Sequence, residues 1–217
     1  AEFTLEGKAK AKLRHSINRC ERNGCSFEII PASETPPLMD TIEAISNSWL
    51  DGKNASEKAF SLGAYKRDYV ASMPIAVVRC EGRIVAFANM WCGANLYEIS
   101  PDLMRYGDDA PKGVMEYLFV NTMLWGKQNG YQWFGLGMAP LSGMPDHQLA
   151  SKWVRAGAFI YSHGEHFYNF NGLRAYKDKF DPVWEPRYLA SPGGLALPQV
   201  LTQVSTLVSG GLRRIVM

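Results

Sequence analysis

The chain has 217 residues, with 23 lysines and arginines against 21 aspartates and glutamates, so its formal net charge is +2. Apolar residues make up 47% and charged residues 20%, a globular balance that excludes a wholly disordered chain. The small net charge excludes a strongly basic nucleic-acid protein, and no apolar run reaches the roughly 20 residues of a membrane span. We therefore expect a soluble, cytoplasmic chain.

Apolar spacing predicts alternating helices and strands along the chain. The turn Glu81-Gly82 between two apolar runs favours an antiparallel hairpin. Further on, a helix between two strands predicts a crossover that makes those strands parallel. The predicted helices are 7–24, 38–50, 112–129, 147–156 and 172–180, and the predicted strands are 27–30, 75–80, 83–91, 95–100, 131–137, 158–162 and 183–189.

An antiparallel hairpin that leads into a strand–helix–strand unit favours an α/β fold of the GNAT-like acyltransferase type. We expect a mixed, mainly antiparallel central sheet flanked by helices, in a single domain over residues 1–217. Residues 196–212 are apolar at every third or fourth position and predict a C-terminal amphipathic helix, with Arg213 and Arg214 after it. This helix either docks on the sheet or meets lipid or another domain.

The four cysteines form no CxxC pair, and no cysteine–histidine cluster has familiar zinc spacing. We therefore predict four reduced thiols and no metal site. The cysteines are Cys20, Cys25, Cys80 and Cys92.

Asp102 and Arg105 lie just past the predicted strand 95–100, where ligands collect in open α/β sheets. Three residues apart, they would share one face of a helical turn. A carboxylate can accept a proton or hold an ammonium, and an arginine can bind a phosphate. The alternative is a local salt bridge that shapes a loop.

Lys112 lies at the predicted start of the helix 112–129, where free N–H groups favour an anion. Asp108 and Asp109 could instead serve as caps of this helix. The segment lacks the Arg/Gln-x-x-Gly-x-Gly/Ala loop that binds the pyrophosphate of coenzyme A in GNAT acetyltransferases, which argues against a coenzyme A site.

Glu165 is a candidate second carboxylate, with a structural ion pair as the alternative. It lies between His163 and His166, but no third histidine is near, so a metal is not favoured. The cations of residues 174–179 alternate with aromatic residues and could bind a phosphate backbone or a lipid headgroup. The alternative is a solvated surface on which Asp178 and Asp181 balance the charge of these cations. These cations are Arg174, Lys177 and Lys179.

Nearly the whole chain resembles the cytosolic catalytic domain of the aminoacyl-phosphatidylglycerol synthases of the MprF type. The matching blocks include Asp-Leu-Met-Arg at 102–105 and Phe-Tyr-Asn-Phe-Asn-Gly-Leu-Arg at 167–174. The other matching blocks are 5–8, 13–14, 57–63, 113–115, 136–143, 176–181 and 184–188.

The resemblance implies transfer of lysine or alanine from aminoacyl-tRNA to the glycerol hydroxyl of phosphatidylglycerol, without a cofactor because the donor ester is already activated. It also implies a tandem GNAT-like synthase at the cytoplasmic face of the bacterial inner membrane. This chain would be the C-terminal half, with the membrane flippase region and most of the first half absent. The sequence leaves open which amino acid is transferred.

Given this reaction, we expect Asp102 to act as the base or to hold the substrate ammonium, and Arg105 to hold a phosphate or the oxyanion. Glu165 is the expected second carboxylate. The residues expected to bind the lipid phosphate or the tRNA end are Lys112, Arg174, Lys177 and Lys179.

Three other functions compete with this one. The first is a GNAT-like aminoacyl-tRNA-dependent transferase that acts on a peptide or peptidoglycan precursor, which would need no lipid surface. The second is an acyl-coenzyme A N-acetyltransferase. The third is a non-catalytic module that binds lipid or tRNA while another part of the protein completes the site.

Overall fold

The computed structural model describes residues 3–52, 65–140, 142, 170–188, 190 and 196–209. The predicted helix 147–156 and strand 158–162 lie outside these residues. The helices are α1 Ala11–Arg22, α2 Met39–Gly52, α3 Arg67–Ala71, α4 Val114–Gln128, α5 Phe170–Asp178 and α6 Ala196–Ser209. The strands are β1 Cys25–Ile30, β2 Ile75–Cys80, β3 Arg83–Cys92, β4 Glu98–Tyr106 and β5 Trp133–Phe134.

The strands lie in one sheet in the order β1-β2-β3-β4-β5. β1 to β4 are antiparallel neighbours, and β5 runs parallel to β4 after the crossover through α4. This arrangement confirms the predicted GNAT-like fold, with a mixed and mainly antiparallel sheet. It also places β5 beside the first two residues of β4, Glu98 and Ile99.

Three predicted strands have different limits. β4 extends to Tyr106, so Asp102 and Arg105 lie within the strand and not in a loop after it. Pro101 and Asp102 are poor strand formers, which is why the sequence suggested an earlier end. β5 has two residues in place of seven. Residues 183–188 form no strand, since Pro182 just before this segment and Pro186 within it cannot donate to a ladder.

The two faces of the sheet are covered by different helices. On one face, Leu13 and Ile17 of α1 pack with Leu118 of α4 against the sheet. On the other face, Ile42 of α2 and Val70 of α3 pack on Phe87. Along β2, Val77 belongs to the second cluster and Val78 to the first, as the side-chain period of two requires. α6 confirms the predicted C-terminal helix.

Cys25 and Cys80 stand directly opposite each other on β1 and β2 and form a disulfide. The prediction of four reduced thiols is therefore wrong for this pair. Sequence spacing could not reveal it, because the two residues meet through strand pairing across 55 positions. Cys20 and Cys92 are free thiols, the first buried and the second exposed.

Gly113 sets how closely α1 and α4 approach. It precedes α4 with a φ of 93°, and a Cβ at this position would lie 2.9 Å from the Cβ of Ser16 on α1. The helix start has no side-chain cap, so the alternative role of Asp108 and Asp109 as caps is wrong. Asp108 accepts a hydrogen bond from Ser48, and Asp109 pairs with Arg83.

Replacing Gly113 with alanine should destabilise the fold through both strain and overlap. Gly82 has a similar φ of 80°, but a Cβ at that position would meet nothing within 4 Å, so Gly82→Ala is the matched control for strain alone. We expect Gly82→Ala to cost about 1–2 kcal/mol and Gly113→Ala roughly 1–3 kcal/mol more. Urea unfolding measures both, and equal losses would contradict the close approach to Ser16.

Candidate functional site

A β-bulge lies in β4 at the predicted residue Asp102. Asn89 of β3 is the one residue opposite both Asp102 and Leu103, and its side-chain oxygen accepts a hydrogen bond from the Leu103 N–H at 3.0 Å. A bulge of this kind changes the direction of the side chains that follow it. On its two sides, Met90 pairs with Pro101 and Ala88 pairs with Met104.

The bulge puts Asp102 and Arg105 on the same side of the sheet. Three residues apart in a regular strand, they would point to opposite faces. Asp102 instead contacts Tyr69 of α3, and Arg105 contacts Ser46 of α2, and both helices cover the same face. The expected shared face is therefore present, but the bulge produces it and not a helical turn.

Asp102 is held by two side chains from different elements. The Tyr69 hydroxyl donates to Asp102 Oδ2 at 2.8 Å, and the Asn89 amide donates to the same oxygen at 3.3 Å. Burial and the hydrogen bond to Asp102 raise the pKa of Tyr69, so its hydroxyl stays protonated as a donor. The indole N–H of Trp91 donates to the Tyr69 oxygen at 3.1 Å. This chain of contacts orients the carboxylate.

Arg105 is buried beneath α2, with 3% of its surface exposed. Its guanidinium donates to the hydroxyl of Ser46 and, at 3.4 Å, to the carbonyl of the same residue. The guanidinium carbon lies 5.1 Å from the centroid of the Trp49 ring, a cation–π distance. Since arginine stays protonated in proteins, these contacts fix a permanent positive charge on the Asp102 side of the sheet.

β4 and β5 separate soon after they pair. The last backbone bond runs from the Gly135 N–H to the Ile99 carbonyl at 2.8 Å, and the Ser100 hydroxyl donates to the Gly135 carbonyl at 3.1 Å. A Cβ at Gly135 would overlap Oε1 of the exposed Glu98 side chain and lie 3.2 Å from the Cβ of Ser100, so the two strands approach closely at this residue. Beyond it, residues 136–140 form no strand pairing with β4, and we call the place where the two strands part the gap between β4 and β5.

Lys177 of α5 is buried beside the segment that leaves β5. Its ammonium donates to the carbonyl of Met138 at 2.8 Å. Burial lowers the pKa of Lys177 from 10.5 to about 8, close to physiological pH. Its neighbours Tyr176 and Phe180 pack against Phe119 of α4, so α5 lies on the face opposite α2.

The other two cations of this helix have separate surroundings. Arg174 pairs with Asp178 at 3.3 Å and stacks on the Trp184 ring at 3.6 Å. Lys179 pairs with Glu116 at 2.7 Å. The three predicted cations therefore do not form one continuous face. The ion pair with Asp178 that the alternative interpretation expected is present for Arg174.

Two predicted site residues stand apart from these contacts. Lys112 is exposed beside the N-terminus of α4. Glu165, with His163 and His166, lies outside the described residues. Within the described part of the chain, no group of three or more histidine, cysteine, aspartate or glutamate side chains could hold a metal ion. The same residues contain no helix long and apolar enough to cross a bilayer.

Sequence reasoning missed the residues that hold Asp102. Asn89 is fully buried between the apolar residues 84–88 and 90–92 of β3, and a buried amide needs partners. That lone polar residue was the signal that could have identified it. Tyr69 gave no such signal, because its short helix was not predicted.

Known proteins give a consistent match. A family model described as phosphatidylglycerol lysyltransferase, C-terminal, matches residues 1–191. The phosphatidylglycerol lysyltransferase of Bacillus subtilis is 40% identical over 208 residues, which are 95% of this chain and 24% of that protein. The one from Staphylococcus xylosus is 36% identical over 188 residues, or 86% of this chain and 22% of that protein. The chain thus spans about a quarter of their length.

Solved structures agree with the sequence relatives. The structure of L-PGS from Bacillus licheniformis superposes with a TM-score of 0.75 at 38% identity, over 95% of this chain and 62% of that one. A C-terminal domain from Agrobacterium fabrum, from a protein assigned as a lysylphosphatidylglycerol synthetase, gives a TM-score of 0.82 at 44% identity, over 98% and 63%. The chain belongs to the phosphatidylglycerol lysyltransferase family and corresponds to its C-terminal region.

Proposed function

We propose that this chain carries catalytic and substrate-binding residues of a synthase that transfers lysine from lysyl-tRNA to the glycerol hydroxyl of phosphatidylglycerol. The observation that carries this proposal is the family match over residues 1–191, together with relatives named for lysyl transfer to phosphatidylglycerol. Those names favour lysine over alanine, and phosphatidylglycerol over a peptide or peptidoglycan acceptor.

The chain acts as the C-terminal half of a tandem GNAT-like unit in a longer protein. Its partners are aminoacyl-tRNA, phosphatidylglycerol, the N-terminal half of the unit and a membrane region, at the cytoplasmic face of the bacterial inner membrane. Coverage of 22–24% of the curated relatives and 62–63% of the related structures supports this proposal.

The reaction exchanges one ester for another. A bond forms between the lipid hydroxyl oxygen and the aminoacyl carbonyl carbon, and the bond from that carbon to the tRNA ribose oxygen breaks. The proton of the lipid hydroxyl passes to the released ribose oxygen. The protein must therefore align two large substrates, stabilise a tetrahedral oxyanion and transfer one proton.

We assign Asp102 to bind the ammonium of the aminoacyl group. A carboxylate makes strong charge-assisted hydrogen bonds to an ammonium, and Tyr69 and Asn89 fix its orientation. Arg105, buried on the same side, supplies positive potential for the oxyanion. Glu165 is retained as the second carboxylate and the candidate base.

The lipid phosphate is assigned to Lys177, at the gap between β4 and β5. An ammonium has three N–H donors, and the contact with Met138 uses one of them. Lys112, Arg174 and Lys179 lie nearer the surface and are assigned to the phosphates of the tRNA acceptor end. Their partly or fully exposed side chains suit a salt-dependent contact of this kind.

The function is tested with the full synthase that contains this chain. Vesicles of phosphatidylglycerol are incubated separately with Lys-tRNA and Ala-tRNA, and the lipids are separated by chromatography. The expected result is lysyl-phosphatidylglycerol from Lys-tRNA. Transfer from neither donor would contradict the proposed reaction, and transfer from Ala-tRNA alone would contradict the donor.

Replacing Asp102 with asparagine in the full synthase should lower lipid lysylation at least about 100-fold. The amide keeps the shape of the side chain but cannot attract an ammonium, so the KM for Lys-tRNA should rise if Asp102 binds the donor. A fall in kcat alone would assign it the base role instead.

Asp108→Asn is the matched control, because Asp108 also accepts a hydroxyl hydrogen bond, from Ser48 at 2.9 Å. Its activity should stay near that of the wild type. Near-normal turnover of Asp102→Asn, with an unchanged KM, would remove Asp102 from the site.

Lys177 predicts a particular pH dependence. Since its pKa in the folded protein is about 8, the ammonium is present below that pH and is lost as the pH rises through it. Affinity for phosphatidylglycerol should therefore fall between about pH 7 and 9. Lys177→Arg keeps its charge and should flatten this profile, whereas Lys177→Met should lower affinity at neutral pH to the level that the wild type reaches only at high pH.

Lys12→Met, a change of an exposed lysine on α1, is the control and should leave the profile unchanged. Lipid titrations at fixed donor concentration measure all four proteins. An identical pH profile for wild type and Lys177→Arg would contradict the assignment.

A further inference from the structure

The turn between β3 and β4 forms an exposed apolar tip. Trp91, Leu96, Tyr97 and Trp133 are 50%, 46%, 57% and 50% exposed. The Trp133 N–H donates to the Tyr97 carbonyl at 3.0 Å, so the α4–β5 loop and the turn are joined. We call these four residues the aromatic tip. Monomeric soluble proteins seldom expose so many large apolar side chains together unless the surface binds something.

The two sequence segments that form the tip contain no charged residues. Residues 84–97 and 128–145 contain no lysine, arginine, aspartate or glutamate. The first acidic residue after the turn, Glu98, pairs with Trp133 at the border of the tip, and its carboxylate lies beside Gly135. Leaving charge out of both adjoining segments removes the desolvation cost that a charged turn would incur on entering an apolar phase.

The backbone holds the tip in an unusual conformation. Asn95 and Leu96 both have a φ of 57°, which asparagine tolerates but leucine rarely adopts. Leu96 is also held by its carbonyl, which accepts a hydrogen bond from the Gln132 N–H at 3.1 Å. A strained and exposed leucine lowers the stability of the folded chain. Its presence therefore indicates that Leu96 serves binding and not folding.

The tip is continuous with the candidate site. Trp91 belongs to the tip and donates to Tyr69, and Tyr69 donates to Asp102. A surface that rests on these residues therefore lies next to the carboxylate that receives the substrate. Trp and Tyr are the side chains that favour the boundary between lipid and water, since their rings are apolar and their N–H and O–H groups stay hydrated.

We propose that the aromatic tip inserts into the headgroup region of a phospholipid bilayer and sets the site over its lipid acceptor. This inference rests on the proposed function for its choice of occupant, because a lipid acceptor must be reached from the bilayer. Insertion of four apolar side chains gives weak, reversible binding, which suits release after each transfer. A tRNA end or another part of the longer protein is the competing occupant.

The test uses the 217-residue chain and vesicles of phosphatidylcholine with about 30% phosphatidylglycerol, an anionic surface of physiological kind. Binding is followed by flotation, and depth by quenching of tryptophan fluorescence with brominated acyl chains. The tip variant Leu96→Asn/Tyr97→Ser should bind about tenfold more weakly than wild type. Asparagine tolerates the φ of 57° better than leucine, so the variant should remain folded. Trp133→Phe should lose part of the quenching.

Tyr188→Ser is the matched control, since Tyr188 is 88% exposed but lies outside the tip. It should bind vesicles like the wild type. Absent binding by the wild type, equal binding by the tip variant, or loss of tRNA binding in place of vesicle binding would each overturn the proposal. So would protection of Leu96 and Tyr97 from hydrogen exchange in the full synthase without vesicles, which would show that another part of the protein covers the tip.

Vesicle flotation and tryptophan quenching need neither tRNA nor turnover, so their failure can be told apart from a failure of the proposed function. If the synthase transfers no amino acid but binds vesicles through the tip, the proposed membrane contact stands and the proposed reaction is wrong. If the tip variant of the full synthase lysylates lipid normally at limiting lipid, the proposed reaction stands and the proposed membrane contact is wrong.

Discussion

The site depends on the two-against-one pairing of Asn89 with Asp102 and Leu103. Without this bulge, the side-chain period of two would send Asp102 and Arg105 to opposite faces of β4. Asn89 stabilises the bulge through the Leu103 N–H and holds Asp102 with its amide, so one buried side chain both distorts the strand and orients the carboxylate. Bulges of this kind commonly aim side chains beside active sites.

The parallel β5 supplies the second constraint. It pairs with β4 over two residues and then departs at Gly135, which leaves a gap next to the bulge. Lys177 reaches this gap from the α4 side, whereas Asp102 and Arg105 face α2 and α3. The proposed reaction therefore takes place across the edge of the sheet, with the donor on one side and the lipid phosphate on the other.

Much of the fold followed from the sequence, because the apolar stripes of α1, α2 and α4 and the Glu81-Gly82 hairpin are strong local signals. The limits of β4 did not follow, since Pro101 and Asp102 disfavour a strand that pairing with β3 nevertheless imposes. Asp102, Arg105 and Lys177 could be named from their chemistry and from the family resemblance. Their surroundings could not, because Tyr69, Ser46 and Met138 reach them through tertiary packing that local patterns do not encode.

The central claim is that Asp102, oriented at the bulge, receives the ammonium of the aminoacyl donor. The most direct measurement is a crystal structure of the synthase with a non-hydrolysable 3′-lysylamido-adenosine. We predict an ammonium of this ligand within about 3 Å of an Asp102 carboxylate oxygen, the length of a charge-assisted hydrogen bond. A ligand bound elsewhere, with Asp102 still contacting Tyr69 and Asn89 but no part of the ligand, would contradict it.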